Sequence, residues 1–235
     1  MLPRVVIYNA VSVDGRIKGF PVDMGLFYGL AARWREDVML TGVETLTAAP
    51  GLARDDERAE PPAGVRRPRA GVALLAVTDS RGRLRCWDAL RSAPYWWDAV
   101  ALVSRSTPPS YIEYLKRRNV RHLVVGEDRV DLRAALQRLN RTYGAKVVRA
   151  DCGGTLNGAL LRAGLVDEVS VLVHPVLLGG TGEGSIFRAP ELEGPDGTIK
   201  LRLRSVERLG GGIVWMRYMV VRPGPPRRAR GRSRS

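Results

Sequence analysis

The stretch with the clearest chemical potential is A-D-C-G-G-T-L-N-G-A-L-L at residues 150–161. It follows a short β-branched run that predicts a strand, and it leads into good helix formers that predict a helix. Gly153 and Gly154 leave room for a ligand to approach the backbone, and we expect Thr155 to cap the helix. The free N–H groups of a helix N-terminus suit a phosphate or pyrophosphate. An ordinary tight strand-to-helix turn would have the same pattern, so the stretch alone does not identify the ligand.

Other kinds of site are poorly supported by the sequence. The glycine spacing is neither a Rossmann G-x-G-x-x-G nor a P-loop, because no Lys-Ser/Thr follows the glycines. Cys86 and Cys152 are too few for a disulfide framework, and His122 and His174 do not complete a zinc cluster with them. We therefore expect no metal site and no nucleophilic cysteine.

The composition is that of one globular domain of 235 residues with 45% hydrophobic residues. No apolar run reaches the ~18 residues that a membrane span requires, and the N-terminus lacks the pattern of a secretory signal. These features predict a cytoplasmic protein.

The net charge of +14 is unevenly distributed, because residues 222–235 hold six arginines and no acidic residue. This segment lacks apolar residues for packing, so we expect a disordered tail. Its arginines could hold RNA or an acidic partner weakly through counterion release. A solvated tail without a dedicated partner is the simpler interpretation, and no RNA-binding motif with interleaved aromatic residues supports the stronger one.

The remainder, residues 1–221, alternates between strand-like and helix-like segments. The predicted strands are Arg4–Val11, Asp37–Thr41, Val72–Thr78, Ala99–Val103, His122–Val125, Lys146–Ala150 and Val169–His174. The predicted helices are Pro108–Arg118, Asp131–Tyr143 and Thr155–Ala163. This alternation predicts an α/β fold: a three-layer sandwich with a mostly parallel sheet and helices on both faces. Thr198–Val206 and Ile213–Val221 alternate around three glycines and predict a C-terminal antiparallel hairpin.

Several motifs together resemble a known family. Residues 151–180 combine an acidic residue, a glycine cluster, Thr-Leu, a helix ending in G-L-V-D-E, a strand, and a Pro followed by Gly-Gly. N-A-V-S-V-D-G at 9–15 and T-G-V-E-T-L at 41–46 add two further matches, and V-T-D-S and L-V-S-R-S add weaker ones. The chain from about Val5 to Val221 thus resembles the reductase domain of riboflavin biosynthesis, whose fold is that of dihydrofolate reductase.

The resemblance implies an NADPH site. Residues 153–159 would hold the pyrophosphate, Gly42 and Thr45 would lie at the nicotinamide ribose, and Arg105 would bind the 2′-phosphate. A guanidinium is a bidentate phosphate partner, which favours NADPH over NADH. The implied cofactor-binding residues are Val11, Gly42, Thr45, Ser80, Ser104, Arg105, Gly153, Gly154, Thr155, Leu156, Asn157, Gly158 and Ala159.

The substrate half departs from the family pattern. Asp151 stands where the family has a substrate-contacting acid, usually Glu, so its carboxylate reaches less far. The family motif Asp-Asp-Pro-x-Leu is replaced by A-A-P-G-L at 48–52, which keeps Leu52 but loses both carboxylates. Arg54 would meet the substrate phosphate. Asp23 begins a predicted amphipathic helix, as does an acid that meets the pterin ring in dihydrofolate reductase.

The leading hypothesis is a reductase that passes a hydride from NADPH to C1′ of a pyrimidine ribosylamine 5′-phosphate. The product would be the ribitylamino compound, and no side chain is an obvious general acid. A dihydrofolate or pterin reductase that uses Asp23 is the alternative, and an RNA- or nucleotide-binding protein without catalysis is a third hypothesis. The resemblance also implies a homodimer.

Overall fold

The computed structural model describes residues 1–48, 66–180, 184–192, 194 and 197–222. Leu52 and Arg54 lie outside these residues, as does the tail from residue 223 onwards. Arg222, the first residue of the predicted tail, is described and forms an ion pair with Asp167 at 2.6 Å.

The described residues form a sheet of nine strands in the order β5-β4-β3-β2-β6-β1-β7-β9-β8. All pairings from β5 to β7 are parallel, whereas β7–β9 and β9–β8 are antiparallel. The predicted mostly parallel sheet with a C-terminal hairpin is therefore confirmed. The strands are β1 Arg4–Ser12, β2 Val38–Gly42, β3 Ala73–Thr78, β4 Trp96–Val103, β5 Arg121–Val124, β6 Val147–Ala150, β7 Glu168–His174, β8 Leu201–Arg208 and β9 Val214–Val220.

Six α-helices connect the strands in the described ranges, and none is long and apolar enough to cross a membrane. They are α1 Met24–Ala31, α2 Val43–Thr47, α3 Trp87–Ser92, α4 Pro109–Arg117, α5 Leu132–Tyr143 and α6 Gly154–Arg162. The three predicted helices are present as α4, α5 and α6. Asp131 caps α5 as expected. The sequence analysis did not predict α2 and α3 as helices, because five and six residues are too few to show a helical period.

The sheet is covered on both faces, because its parallel strands are apolar on both sides. On one face, α5 and α6 bury a cluster that includes Ile7, Leu40, Leu102 and Leu136. The opposite face carries two separate clusters: one around Trp87 and Tyr111, and one around Tyr8, Phe27, Trp34 and Trp215. Between the strands of these two clusters lies β6, which carries the polar residue Arg149.

Candidate cofactor and substrate site

The predicted cofactor residues lie along one edge of the sheet. Parallel strands end at a common edge, and β4, β3, β2, β6 and β1 are consecutive neighbours. Their carboxyl ends carry Arg105, Ser80, Thr45, Gly153 and Val11 in that order. From β4 to β1 there are four strand spacings of about 4.8 Å, or about 19 Å in all, which suits an extended ligand.

The N-terminus of α6 is open to a ligand. Gly153 occupies the N-cap position with an extended backbone, and no side chain caps the helix. The predicted cap at Thr155 is therefore wrong: Thr155 lies inside the first turn and is exposed. Gly154, Thr155 and Leu156 precede the first intrahelical bond, so their N–H groups are available to an anion.

Residues of β2 and α2 flank this open turn. The Thr45 hydroxyl accepts a hydrogen bond from the Gly153 N–H at 3.2 Å. A β-carbon at Gly42 would lie 3.8 Å from Leu156 and 3.7 Å from the hydroxyl of Thr78. Thr45 and Gly42 therefore border the first turn of α6.

The later residues of the predicted pyrophosphate stretch contact the protein itself. Asn157 is fully buried, and its amide donates to Asn9 Oδ1 at 2.9 Å and to the carbonyls of Cys152 and Ile186. Gly158 is buried, and Ala159 lies on the exposed side of the second turn. Only the start of the helix, residues 154–156, presents backbone N–H groups that precede the first intrahelical bond.

Two glycines of α6 accommodate the segment 184–188, which we call the strap. A β-carbon at Gly154 would lie 2.2 Å from the Ser185 carbonyl oxygen, and one at Gly158 would lie 2.1 Å from that of Arg188. The Arg188 N–H donates to the Gly154 carbonyl at 2.9 Å. These glycines therefore allow close packing of the strap, whereas Gly153 faces open space beside Thr45.

The far end of the edge carries an exposed arginine. Arg105 is 73% exposed and pairs with Glu127 at 2.9 Å, and its N–H donates to the Gly126 carbonyl. Ser104 is buried, and its hydroxyl contacts those of Ser106 and Thr107. Ser80 accepts a hydrogen bond from the Val130 N–H. Ser80 and Ser104 thus hold the loops in place, and Arg105 carries the charge available to a phosphate.

The mouth of the site is shaped by the turn after β1. Asp14 accepts hydrogen bonds from the Ser12 hydroxyl at 2.6 Å and from the Gly179 and Leu178 N–H groups. These bonds, chiefly that from Ser12, lower the pKa of Asp14 to about 2. The strap starts beside this turn, since the Ile186 N–H donates to the Gly15 carbonyl.

Asp151 lies on the other face of the sheet from α6, in the gap between the two clusters. Its carboxylate is 19% exposed and contacts Arg149 at 3.3 Å. Arg149 also bonds Glu36 at 2.8 Å, and its guanidinium lies 5.8 Å from the ring of Tyr28. Burial raises the pKa of Tyr28 to about 12, and the charge of Asp151 adds to this. Sequence reasoning identified Asp151 but missed Arg149, Glu36 and Tyr28; the only signal was a charge within an apolar strand.

The structure gives Asp23 a local role. Its carboxylate accepts a hydrogen bond from the Leu26 N–H at 3.0 Å and so caps α1. Capping accounts for an acidic residue at this position, and the contact with a ligand ring stays a prediction.

Two further features of the described residues do not alter this picture. No group of three or more His, Cys, Asp or Glu residues there could hold a metal ion. An open cleft of about 1210 Å³ runs along the amino ends of the strands and is lined by Tyr28, Trp96 and Tyr143 among others. Glu36 and Arg149 also line this cleft, so it borders the charged cluster beside Asp151.

Comparison with known proteins identifies the family of the chain. The family model for the RibD C-terminal domain matches residues 3–215. The chain belongs to the RibD C-terminal domain family. It is 33% identical to the 2,5-diamino-6-ribosylamino-4(3H)-pyrimidinone 5′-phosphate reductase of Methanothermobacter thermautotrophicus, over 91% of this chain and 97% of that protein. The enzyme of that name from Archaeoglobus fulgidus is 27% identical over the same shares.

Solved structures show the same fold as this RibD C-terminal domain. A pyrimidine reductase-like protein from Corynebacterium diphtheriae has a TM-score of 0.70 at 16% identity, covering 94% of this chain and 93% of its own. Saccharomyces cerevisiae Rib7 has a TM-score of 0.65 at 17% identity, covering 94% and 90%. Acinetobacter baumannii RibD has a TM-score of 0.68 at 23% identity, and this chain spans 58% of its length.

The close packing of the strap predicts the effect of a single methyl group. Gly154→Ala should destabilise the protein by about 1–3 kcal/mol, because the added carbon overpacks the contact with Ser185. Gly29→Ala is the matched control: it is a helical glycine with nothing within 4 Å, and it should gain up to about 1 kcal/mol. Urea unfolding measures both, and equal stabilities for the two variants would contradict the strap contact.

The capping role of Asp23 predicts a change in stability without a change in catalysis. Asp23→Ala should cost about 1 kcal/mol, the same as Asp131→Ala at the cap of α5. Asp23→Asn should remain near wild type, because Asn caps as well as Asp. Reductase activity lost in Asp23→Asn at unchanged stability would instead assign the carboxylate to the substrate.

Proposed function

We propose that this chain is an NADPH-dependent reductase that converts the ribosylamino group of a pyrimidine ribosylamine 5′-phosphate to the ribitylamino form. As a member of its family, the chain is an oxidoreductase of riboflavin biosynthesis; the cofactor and the exact acceptor are the finer proposal. The observation that carries the proposal is the uncapped N-terminus of α6, aligned at the sheet edge with Thr45, Ser80 and Arg105.

The residues present fit a dinucleotide phosphate. The N–H groups of Gly154, Thr155 and Leu156 would hold the pyrophosphate, because a helix N-terminus without a cap favours anions. Arg105 would bind the 2′-phosphate at the end of β4, three strand positions from β6, where its guanidinium is exposed. Val11, at the end of β1, would lie near the nicotinamide. When bound, NADPH would supply the hydride.

The chain itself would bind and orient the acceptor. A hydride added at C1′ and a proton added at nitrogen together reduce the open-chain imine of the ribosylamine to the amine. Asp151 would accept hydrogen bonds from amino groups of the pyrimidine, which are donors at the 2,5-diamino pattern named in the relatives. Solvent can protonate the nitrogen, so positioning accounts for the chain's contribution. Leu52 and Arg54 remain predicted substrate contacts outside the described residues.

Turnover by the purified protein tests this proposal. With NADPH and the ribosylamine phosphate, we expect NADPH oxidation that saturates in both substrates, and with dihydrofolate no rate above background. Oxidation with dihydrofolate and none with the ribosylamine would reverse the assignment.

The Arg105–Glu127 pair predicts opposite effects of two substitutions. Arg105→Ala should raise the KM for NADPH about tenfold or more without changing that for NADH, because a charge-assisted contact is lost. Glu127→Gln should lower the KM for NADPH about two- to fivefold, since it frees the guanidinium from an exposed ion pair. Equal changes with NADPH and NADH would place the 2′-phosphate elsewhere.

We also propose that two copies associate through the C-terminal hairpin. Leu201, Leu203 and Val206 on the edge strand β8 are 44%, 52% and 52% exposed. They pair across β9 with Val220, Tyr218 and Met216, which makes a continuous apolar face on the α6 side. A second copy would cover this patch through a two-fold contact, since the same surface meets itself.

A charge in this face should separate the copies. Leu203→Asp should shift the protein from dimer to monomer in analytical ultracentrifugation, because the carboxylate would be buried without a partner. Val124→Asp is the control on the opposite edge strand, β5, where Val124 is 48% exposed, and it should remain dimeric. A wild-type protein that sediments as a monomer would refute the dimer.

A further inference from the structure

Arg149 is a charged residue within the buried strand β6. Its side chain is 3% exposed, and its neighbours Val148 and Ala150 pack into the cluster under α5 and α6. A buried guanidinium costs free energy unless its charge and donors are satisfied. The groups that contact its guanidinium therefore indicate the role of Arg149.

Groups from four elements face this guanidinium. Glu36, just before β2, accepts from Nε at 2.8 Å, and Asp151 accepts from Nη1 at 3.3 Å. The rings of Tyr8 on β1 and Tyr28 on α1 lie 6.0 and 5.8 Å away. Two carboxylates thus share one cation, and the less buried of the two, Asp151, is the predicted substrate contact.

We propose that Arg149, itself held by Glu36, is a positioning residue that orients the carboxylate of Asp151 and keeps it ionised for the amino groups of the substrate. The inference rests on the proposed function for its substrate class. Asp151 directly follows β6 and lies two residues after Arg149, and their contact at 3.3 Å places both side chains on the same face. The contact fixes a carboxylate that is one methylene shorter than the Glu usual in the family.

Arg149 and Glu36 shift the pKa of Asp151 in opposite directions. Burial raises the pKa of Asp151, the charge and hydrogen bond of Arg149 lower it, and the charge of Glu36 raises it. For Arg149, burial acts to lower the pKa, but Asp151 and Glu36 outweigh it and the pKa is raised. The arginine therefore stays charged while the carboxyl of Asp151 titrates, and the two neighbours of Asp151 should have opposite effects when changed.

Three variants test the proposal. Arg149→Met removes the cation. The acidic limb of the pH profile of kcat/KM should move to higher pH by about one unit or more, because the carboxylate of Asp151 loses its opposite charge. Glu36→Gln should move that limb down, and Arg149→Lys should stay nearer to wild type than Arg149→Met. The dissociation constant for NADPH should stay within about twofold of wild type in all three, since the first turn of α6 lies on the other face.

A second readout makes the test independent of turnover. The carboxyl carbon of Asp151 can be titrated by NMR in protein labelled with ¹³C-aspartate and assigned by its loss in Asp151→Asn. Its midpoint should rise in Arg149→Met and fall in Glu36→Gln. If the ribosylamine phosphate is not a substrate, the proposed function fails while this titration still decides the role of Arg149.

A buried ion pair elsewhere provides the control. Arg91 and Asp98 are each 2% exposed and pair at 2.9 Å beside α3. Arg91→Met should lower the melting temperature without moving either titration. The proposal is supported if Arg149→Met and Glu36→Gln shift the Asp151 midpoint in opposite directions and Arg91→Met does not shift it. Unchanged midpoints, or shifts of the same sign, overturn it; if Arg149→Met does not fold, the presence or absence of the lower Asp151 midpoint in Glu36→Gln gives the decision.

Discussion

The site depends on one buried contact between two amides. Asn157 in the first turns of α6 donates to Asn9 on β1, and the same amide binds the carbonyls of Cys152 and Ile186. It therefore joins the central strand, the glycine loop, the helix and the strap at one point. A fully buried amide must satisfy its hydrogen-bond donors. The strand, the loop and the strap are therefore held at positions where their oxygen atoms accept these bonds. These contacts fix the position of α6, whose N-terminus has no side-chain cap because the N-cap residue is Gly153.

The two halves of the proposed reaction lie on opposite faces of the sheet. Backbone donors at residues 154–156 lie on the side of α6, and Asp151 with Arg149 lies on the other side, a few residues earlier in the chain. The strand end between them brings both halves within reach of one bound ligand. The proposed cofactor half uses backbone groups and one exposed arginine, Arg105, whereas the proposed substrate half uses largely buried charged side chains.

The sequence predicted the fold well, because buried parallel strands are apolar on both faces and their run lengths are clear. It also located the glycine loop, since glycines before a helix have a specific meaning. It placed the cap at Thr155 rather than Gly153, because the exact start of a helix depends on backbone angles. It could not distinguish Gly153, which lies beside the open turn, from Gly154 and Gly158. These two pack against the strap, which follows about 30 residues later in the chain. Likewise, nothing local pairs Arg149 with Glu36, 113 positions earlier.

The most direct test of the account is the fate of the hydride. The purified protein would be incubated with the ribosylamine phosphate and NADPH carrying deuterium at C4 of the nicotinamide, and the product analysed by mass spectrometry and NMR. The account predicts one deuterium at C1′ of the ribityl chain. A product without deuterium, or with deuterium on the pyrimidine ring, would contradict it.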